Sequence, residues 1–201
     1  MSPTALPGSA SVHEASGRRG ALPSRIKPVA PGMRLHGPAY PLRCPAGDNL
    51  WLHRAVAEAP EGAVLVAAVV GDGEYGYWGE VLSHAASARG LAGLVIDGGV
   101  RDVEALAAVG FPVFSRGICI QGTRKEPSGD GALAAPVWIG RTVVSVGDLV
   151  IGDADGVVVV SAATASDVLA EARLREKEEA TIIARLAAGE TTLDIYGLPP
   201  G

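Results

Sequence analysis

Apolar and polar positions alternate along the first half of the chain in a way that predicts strands followed by helices. A continuous, β-branched apolar run at residues 63–70 predicts a strand buried on both faces. Gly79 is a candidate N-cap for the helix that follows, and Gly90 is a stop signal for it. The pattern predicts helices at 9–19, 49–59, 80–89 and 103–109, strands at 63–70, 94–96 and 113–114, and an edge strand within 27–45.

The second half of the chain has a different pattern. The segment Asp97-Gly98-Gly99 predicts a turn that needs positive φ, and residues 122–131 read as a polar loop. Glycines spaced through residues 137–160 predict a β-meander. Thr164 can cap the backbone N–H near Asp167, so a long terminal helix with a charged face is expected over 164–189.

These elements predict the fold class and the domain organisation. Strand–loop–helix units followed by a mainly β half indicate a compact α/β protein. At 201 residues the chain fits one domain, which we place at 9–201. Residues 1–8 are rich in Pro, Ser, Thr and Gly and predict a mobile tail.

Composition and charge exclude several classes of function. The chain is 48% hydrophobic and 19% charged with a mean hydropathy of +0.26, which is too apolar for disorder. Its net charge of −5 and its 4% aromatic content disfavour nucleic-acid binding. Cys44 and Cys119 form neither a CxxC motif nor a Cys/His cluster. No run approaches the length of a membrane span and no signal-peptide core is visible, so we expect a cytoplasmic protein.

The candidate functional residues lie where two predicted strands end and two predicted helices begin. Free N–H groups near Val81 and Leu82, at the start of the predicted helix, can hold a carboxylate, and Arg101 can grip the same group. Asp102, with Glu80 if the two loops are adjacent, would supply hard oxygen ligands for Mg²⁺ or Mn²⁺. The pattern therefore indicates a metal-assisted site for a small acid.

The same residues can also have purely structural roles. Asp102 can be a helix N-cap, Glu80 a carboxylate favoured by the helix dipole, and Arg101 a solvated charge. The segment with Asp153 and Asp155 resembles part of a calcium-binding loop, but the final acidic residue of such a loop is missing. The segment therefore predicts a β-turn. No nucleotide-binding, serine-hydrolase or HExxH motif occurs.

The spacing of three residues resembles the motif of a known family. Glu80 is followed by twenty intervening positions and then by Arg101 and Asp102, within WGEVLSHAASARGLAGLVIDGGVRD. This pattern resembles the signature of the RraA-like family, which includes the 4-hydroxy-4-methyl-2-oxoglutarate (4-carboxy-4-hydroxy-2-oxoadipate) aldolases. Similar segments run from about residue 12 to 196, among them RIKPVAPGMRLHGPAY, DNLWLHRAV and GDLVIGDADGVVVV. The GTRK segment at 122–125 is similar to the GT-x-K of the aldolase branch.

The resemblance implies a fold and an assembly. It implies an α/β/β sandwich related to the phosphohistidine swivelling domain. It also implies a homotrimer or a hexamer with sites between subunits.

The resemblance also implies roles for individual residues. Arg101 would bind the pyruvyl carboxylate and carbonyl, and the N–H groups around Gly79, Val81 and Leu82 would complete the cradle. Asp102 would ligate Mg²⁺ or Mn²⁺, Glu80 would hold metal-bound water, and Lys125 would lie near the distal carboxylate. Glu178, with Glu176 and Glu179 as alternatives, would reach the metal of an adjacent subunit.

These roles imply a class II pyruvate aldolase that cleaves 4-hydroxy-4-substituted 2-oxo acids and decarboxylates oxaloacetate. A metal and Arg101 would stabilise the enolate of pyruvate that this cleavage leaves. A lysine Schiff base is disfavoured, because none of Lys27, Lys125 and Lys177 lies in a plainly apolar segment. Two other classes of function stay open: a non-catalytic regulator that binds a protein such as a ribonuclease, and a sensor that binds a small acid without turnover.

Overall fold

The computed structural model describes residues 6–71, 73–199 and 201. The predicted mobile tail falls partly on residues 1–5, which lie outside the described residues. Pro7 is buried, and the backbone N–H of Gly8 donates to Glu176 Oε1 at 2.8 Å. The mobile tail at 1–8 stays a prediction, and its last two residues contact the folded part of the chain.

The described residues form a mixed α/β fold. Its helices are α1 (Ser9–Ala15), α2 (Leu50–Glu58), α3 (Glu80–Ala88), α4 (Val103–Val109), α5 (Ala165–Ala187) and α6 (Thr192–Tyr196). Its strands are β1 (Lys27–Pro28), β2 (Leu35–Cys44), β3 (Val64–Val69), β4 (Gly76–Trp78), β5 (Gly93–Val100), β6 (Val113–Ile118), β7 (Ala132–Leu133), β8 (Val137–Ile139), β9 (Thr142–Val144), β10 (Leu149–Asp153) and β11 (Gly156–Val160). The first helix is shorter than predicted, and α6 and β4 were not predicted.

One curved sheet organises the molecule, in the order β1-β6-β5-β3-β2-β10-β11. Strands β2, β3, β5 and β6 are parallel, as expected of strands joined through crossover helices. The ends of the sheet approach each other, because Lys27 Nζ on β1 donates to the Asp155 carbonyl beside β11. The separate hairpin β8–β9 covers one face.

The prediction of an edge strand within 27–45 holds for the two-residue β1, at one end of the sheet, and is wrong for β2. Strand β2 lies in the middle of the sheet, between β3 and β10. Its prolines are tolerated because each lies where β2 has one partner: Pro38 faces Leu149 of β10, and Pro41 faces Val66 of β3. The two halves of β2 pair mainly on opposite sides, so the missing N–H groups break no second ladder.

The predicted turn at Asp97-Gly98-Gly99 was also wrong. Strand β5 continues through these residues to Val100, and the chain turns instead at Asp102, where φ is +60°. Gly98 and Gly99 serve close packing, since a Cβ on Gly99 would lie 2.6 Å from the Tyr75 carbonyl oxygen. The strand is therefore longer than its apolar core suggested.

The predicted β-meander divides into two hairpins, β8–β9 and β10–β11, of which only the second joins the main sheet. The long terminal helix is present as α5. Thr164 is its N-cap residue, but its hydroxyl donates to the Ser161 carbonyl rather than accepting from the helix. The predicted hydroxyl cap was therefore wrong.

Alternating side chains of the sheet build two cores. Leu65 and Ala67 of β3 face the helices α2, α3 and α4, whereas Val64 and Val66 face the β8–β9 hairpin. The layers are thus helices, main sheet and covering β-structure, as the α/β/β prediction has it. A third cluster joins α1 and α5 to the outer face of β10 and β11. Within the described residues, none of the helices combines the length and apolarity that crossing a bilayer requires.

Candidate functional site

Two strand ends meet at one edge of the sheet and define the candidate site. Strands β4 and β5 are parallel neighbours, and Trp78 pairs with Val100 at their carboxyl ends. The first strand leads through Gly79 into α3, and the second leads through Arg101 and Asp102 into α4. Ligands of α/β sheets commonly bind at such carboxyl ends. The pairing brings together the two loops that the sequence could not place side by side.

A carboxylate joins the two loops. Asp102 Oδ2 accepts a hydrogen bond from the backbone N–H of Glu80 at 3.2 Å, and the Arg101 N–H donates to the Trp78 carbonyl at 2.9 Å. Asp102 holds left-handed backbone angles, an arrangement that Asp tolerates better than most residues. The geometry turns the Asp102 side chain back towards the start of α3 rather than along α4.

The lack of a side chain at Gly79, at the start of α3, makes room for the Asp102 carboxylate. Gly79 has extended backbone angles that any residue can adopt. A Cβ there would overlap Asp102 Oδ2 and lie 3.3 Å from Arg101 Cγ. The absence of a side chain at Gly79 therefore leaves the space that the Asp102 carboxylate occupies.

The first turn of α3 presents backbone donors. The Glu80 N–H is taken by Asp102, and the first intrahelical bond runs from the Ser83 N–H to the Gly79 carbonyl at 3.1 Å. The N–H groups of Val81 and Leu82 lie between these and have no hydrogen-bond partner among the described residues. Such free N–H groups at a helix start favour an anion.

A small open cleft of about 180 Å³ collects these groups. It is lined by Asn49, His53, Gly76, Tyr77, Trp78, Gly79, Val81, Leu82, Arg101, Asp102 and Lys125. Arg101 and Asp102 are each close to half exposed, and their Nε and Oδ2 atoms lie 3.8 Å apart. The guanidinium therefore has donors left for a ligand, and water or a small acid can reach both side chains.

Two of the predicted site residues lie outside this lining. The Glu80 carboxylate is 53% exposed, and its Oε1 lies 3.9 Å from His84 Nε2 on the next turn of α3. Glu178 is exposed on α5, whereas Glu176 bonds to Gly8 and Glu179 pairs with Arg175. The structure thus brings together Gly79, Val81, Leu82, Arg101, Asp102 and Lys125, and leaves Glu80 at the rim.

The oxygen ligands at the cleft are compatible with a divalent ion that needs few protein ligands. No group of three or more His, Cys, Asp or Glu side chains suited to a metal occurs in the described part of the chain. Mg²⁺ keeps several waters and binds through one or two carboxylates plus ligand oxygens. Asp102 offers one such carboxylate beside the cleft, and its Oδ1 makes no hydrogen bond to a described residue. The residues fit Mg²⁺ or Mn²⁺ only if further oxygens come from outside this copy of the chain.

Comparison with known families agrees with this arrangement. The family model described as Aldolase/RraA matches residues 9–159, which hold every cleft residue.

The chain belongs to the RraA-like family.

Relatives of this RraA-like protein fall into more than one class. A Halalkalibacterium halodurans protein named "Putative 4-hydroxy-4-methyl-2-oxoglutarate aldolase" is 35% identical over 158 residues, 79% of this chain and 74% of the relative. An uncharacterised protein of Pseudomonas syringae pv. tomato has a solved structure with a TM-score of 0.80 at 31% identity, covering 92% of this chain and 86% of that one. Streptomyces coelicolor RraAS2, described as an unusual member of the RNase ES inhibitor RraA protein family, aligns with a TM-score of 0.75 at 27% identity, covering 87% and 90% of the two chains.

Sequence reasoning missed the cleft wall that α2 provides. Asn49 and His53 are four residues apart and therefore lie on one face of the helix start, facing the cleft. The Asn49 Nδ2 donates to the Tyr77 carbonyl at 2.9 Å, and its buried Oδ1 has no partner among the described residues. The polar pair in DNLWLHRAV was the available signal, but nothing local indicated which face of α2 met β4.

The surroundings of His53 favour its neutral form. Its ring is partly buried, and burial together with the positive charge of Lys125 lowers the pKa of His53 below its usual value. A neutral imidazole can both donate and accept a hydrogen bond. The cleft therefore has cations at Arg101 and Lys125 and an uncharged donor–acceptor between α2 and the 122–131 segment.

Proposed function

We propose that this RraA-like protein is a divalent-metal-dependent lyase that cleaves 4-hydroxy-4-substituted 2-oxo acids to pyruvate. Oxaloacetate decarboxylation would follow from the same chemistry, because both reactions leave an enolate of pyruvate. The observation that carries the proposal is that Arg101, Asp102 and the free N–H groups of Val81 and Leu82 line one small cleft. The family membership and the aldolase names of relatives agree with it.

Arg101 and the start of α3 bind and orient the acid. The guanidinium can donate two parallel hydrogen bonds to a carboxylate, and the N–H groups of Val81 and Leu82 add donors in the same cleft. Each hydrogen bond to a charged group contributes about 1.5–3 kcal/mol. These donors also face the 2-carbonyl oxygen, where negative charge develops during cleavage.

Asp102 would hold the divalent ion at the cleft. When bound, Mg²⁺ or Mn²⁺ supplies electrophilic stabilisation of the developing negative charge. The fixed carboxylate orientation, set by the Glu80 N–H, places Asp102 on the same side of the cleft as Arg101.

Glu80 would hold a water molecule that accepts the proton of the substrate's 4-hydroxyl and later protonates the enolate carbon. Its carboxylate stands at the rim, next to the N–H groups that bind the acid. Lys125, which lines the same cleft, would face the second carboxylate of a substrate that carries one.

The assembly is part of this proposal. The cleft is open, and α5 carries two exposed glutamates, Glu171 and Glu178. We expect a homotrimer or a hexamer in which Glu178 of one copy approaches the metal of the next, and we expect the protein to act in the cytoplasm.

The proposal is tested by pyruvate release from oxaloacetate and from 4-hydroxy-4-methyl-2-oxoglutarate, with Mg²⁺ and with EDTA. Arg101→Gln and Asp102→Asn are expected to lower kcat/KM by about 10²-fold or more, since each loses roughly 3 kcal/mol of transition-state stabilisation. Rates with metal alone are subtracted, because divalent ions decarboxylate oxaloacetate without protein.

Matched controls are available elsewhere on the surface. Arg141→Gln and Asp155→Asn change exposed residues of the same types outside the cleft and are expected to retain wild-type turnover. Metal-independent turnover, or unchanged turnover in both cleft variants, would contradict the proposal.

A second candidate function is regulation of a ribonuclease, favoured by the close structural match to RraAS2. It predicts that Asp102→Asn keeps the cellular effect, whereas charge reversal of exposed α5 glutamates abolishes it. An absence of protein-dependent pyruvate release from both acids would favour this second function.

A further inference from the structure

The loop at residues 122–131, which carries Lys125, is anchored by a buried carboxylate that precedes α2. Asp48 is 4% exposed. Its Oδ1 accepts a hydrogen bond from the Leu50 N–H at 2.7 Å, at the start of α2, and its Oδ2 accepts one from the Glu126 N–H. One carboxylate therefore joins the start of a helix to a loop 78 residues away.

Backbone hydrogen bonds fix the other side of Lys125. The Arg124 N–H donates to the Gly47 carbonyl at 2.7 Å, and the Asn49 N–H donates to the Arg124 carbonyl at 3.1 Å. Both chain neighbours of Lys125 are thus bonded to residues 47–49. With residues 124 and 126 held, the position from which the Lys125 side chain extends is held as well.

Residues 47–49 are themselves tied to the cleft by Tyr77. The Tyr77 hydroxyl accepts from the Gly47 N–H at 2.8 Å, and its carbonyl accepts from Asn49 Nδ2 at 2.9 Å. Tyr77 is fully buried and lies in β4, one residue before Trp78 at the carboxyl end of the strand. The frame from β4 through residues 47–49 to Lys125 is therefore continuous and hydrogen-bonded.

The far end of the 122–131 loop has separate anchors. Arg43 pairs with the exposed Asp130 at 2.9 Å, and Gly131 packs so closely on the Trp51 ring that a Cβ would overlap it. These contacts do not involve residues 124–126. Asp130, on this loop, is exposed and pairs with a side chain, whereas Asp48 is buried and bonds to backbone N–H groups.

The two cations that line the cleft can distinguish acids with one carboxylate from acids with two. Arg101 lies beside the start of α3, and Lys125 lies on the wall near α2. A diacid has a carboxylate to offer each cation, whereas a monoacid has only one. Both oxygens of Asp48 are already used by backbone N–H groups.

Resting on the lyase function proposed above, we propose that Asp48 is a positioning residue that holds Lys125 in the cleft and so gives the enzyme its preference for substrates with a second carboxylate. Asp48 does not touch the substrate. It acts by fixing the backbone on the C-terminal side of Lys125, and Asn at this position would present an NH₂ group to one of the two N–H donors.

The test compares two substrates that differ only in the distal group. 4-Hydroxy-4-methyl-2-oxoglutarate carries the second carboxylate, and 4-hydroxy-4-methyl-2-oxopentanoate carries a methyl in its place; cleavage gives two pyruvates or pyruvate and acetone. Asp48→Asn and Lys125→Met are each expected to lower the ratio of kcat/KM for the diacid to kcat/KM for the monoacid about 10-fold. The double variant is expected to lose no more than Lys125→Met alone, because the two changes remove one interaction.

Asp130→Asn is the matched control on the same loop and is expected to keep the wild-type preference. If Asp48→Asn does not fold, Asp48→Ser replaces it, since Ser still caps the Leu50 N–H but is too short to bond to Glu126 as well. Limited trypsin digestion gives a readout that needs no activity: cleavage after Arg124 and Lys125 should be faster in the Asp48 variant than in wild type or Asp130→Asn.

The outcomes separate the two proposals. Loss of diacid preference in Lys125→Met but not in the Asp48 variant, or equal trypsin cleavage in all proteins, overturns the role of Asp48 while the lyase function stands. An inactive wild type with faster trypsin cleavage in the Asp48 variant overturns the lyase function and the substrate preference, while the anchoring of the loop stands.

Discussion

Asp102 and Glu80 are joined by one hydrogen bond, from the Glu80 backbone N–H to Asp102 Oδ2 at 3.2 Å. The bond connects the end of β5 with the start of α3 across 22 positions of the sequence. A carboxylate near a helix N-terminus is favoured by the exposed N–H groups and the helix dipole. The residue proposed to hold a metal therefore also caps the helix that is proposed to bind the substrate.

Because Asp102 has both roles, we expect different substitutions at Asp102 to affect stability and activity to different extents. Asp102→Asn keeps an acceptor for the Glu80 N–H and tolerates left-handed angles, so its free energy of unfolding should stay within about 0.5 kcal/mol of wild type. Asp102→Ala loses the cap and strains the backbone, at a cost of about 2 kcal/mol. Urea denaturation checks both values, with Asp167→Ala on α5 as an exposed control. Full pyruvate release by Asp102→Asn would mean that the side chain is only a cap.

Gly79→Ala is expected to abolish turnover without unfolding the protein. The backbone angles at Gly79 suit any residue, but the added Cβ would overlap Asp102 Oδ2 and displace the carboxylate. We expect a kcat/KM at least 10²-fold lower and an unchanged circular dichroism spectrum. Gly117→Ala is the control, because a Cβ on Gly117 meets no described atom within 4 Å. Wild-type turnover in Gly79→Ala would show that the observed Asp102 position is not needed.

The two cysteines are expected to differ in reactivity. Burial, with the charge of Asp48 adding to it, raises the pKa of the Cys44 thiol to about 12, so the reactive thiolate is negligible at neutral pH. Cys119 is partly exposed, and its Sγ donates to the Glu74 carbonyl at 3.1 Å. A disulfide reagent should titrate one thiol per chain in native protein and two in guanidinium. Two fast native thiols, or loss of the native reaction in Cys44→Ala rather than in Cys119→Ala, would contradict this assignment.

Asp153 is expected to make the N-terminal helix sensitive to acid. Burial opposes its charge, but hydrogen bonds from the Ser9 hydroxyl and N–H and from the Asp155 N–H, with the charge of Arg34, outweigh burial and lower the pKa of Asp153. The folded state then holds fewer protons than the unfolded state near pH 4. This contribution to stability is therefore present above the ordinary carboxyl pKa and is lost as pH falls through the lower, folded value.

The measurement is the free energy of unfolding from pH 7 to pH 3 for wild type and Asp153→Asn. The variant should be about 2 kcal/mol less stable at pH 7, and the difference should shrink below about pH 4 as the wild-type carboxylate becomes protonated. Asp155→Asn, which alters an exposed side chain, should follow the wild-type curve. A difference that stays constant down to pH 3 would assign the effect of Asp153 to packing instead of charge.

The elements that the sequence predicted well are those whose signals are local. The helix at 103–109 was predicted with its exact bounds, because Gly110, in left-handed conformation, ends it. The apolar run at 63–70 became the central strand β3, since both of its faces are buried. Patterns of this kind depend on residues within one or two turns of each other.

The wrong predictions involve partners far along the chain. Strand β2 was predicted at an edge from its prolines, but its two halves pair on opposite sides of the strand, with β3 and β10. Gly98 and Gly99 suggested a turn, but they are needed where Val69 and Tyr75 approach the strand closely. Proline and glycine signal a local constraint, and the tertiary neighbours decide whether it produces a turn, an edge or a tight contact.

Local sequence signals were enough to predict most of the elements in order, the family signature from Glu80 to Asp102, and the donors that such a site needs. The tertiary structure decided which of these residues meet: the pairing of β4 with β5 places Asp102 on the start of α3, and the packing of α2 brings His53 and Asn49 to the cleft. It also decided that Asp48 anchors the loop of Lys125. The reason is physical: conformational preference acts between neighbours in sequence, whereas strand register and helix packing follow from the burial of side chains distant in sequence.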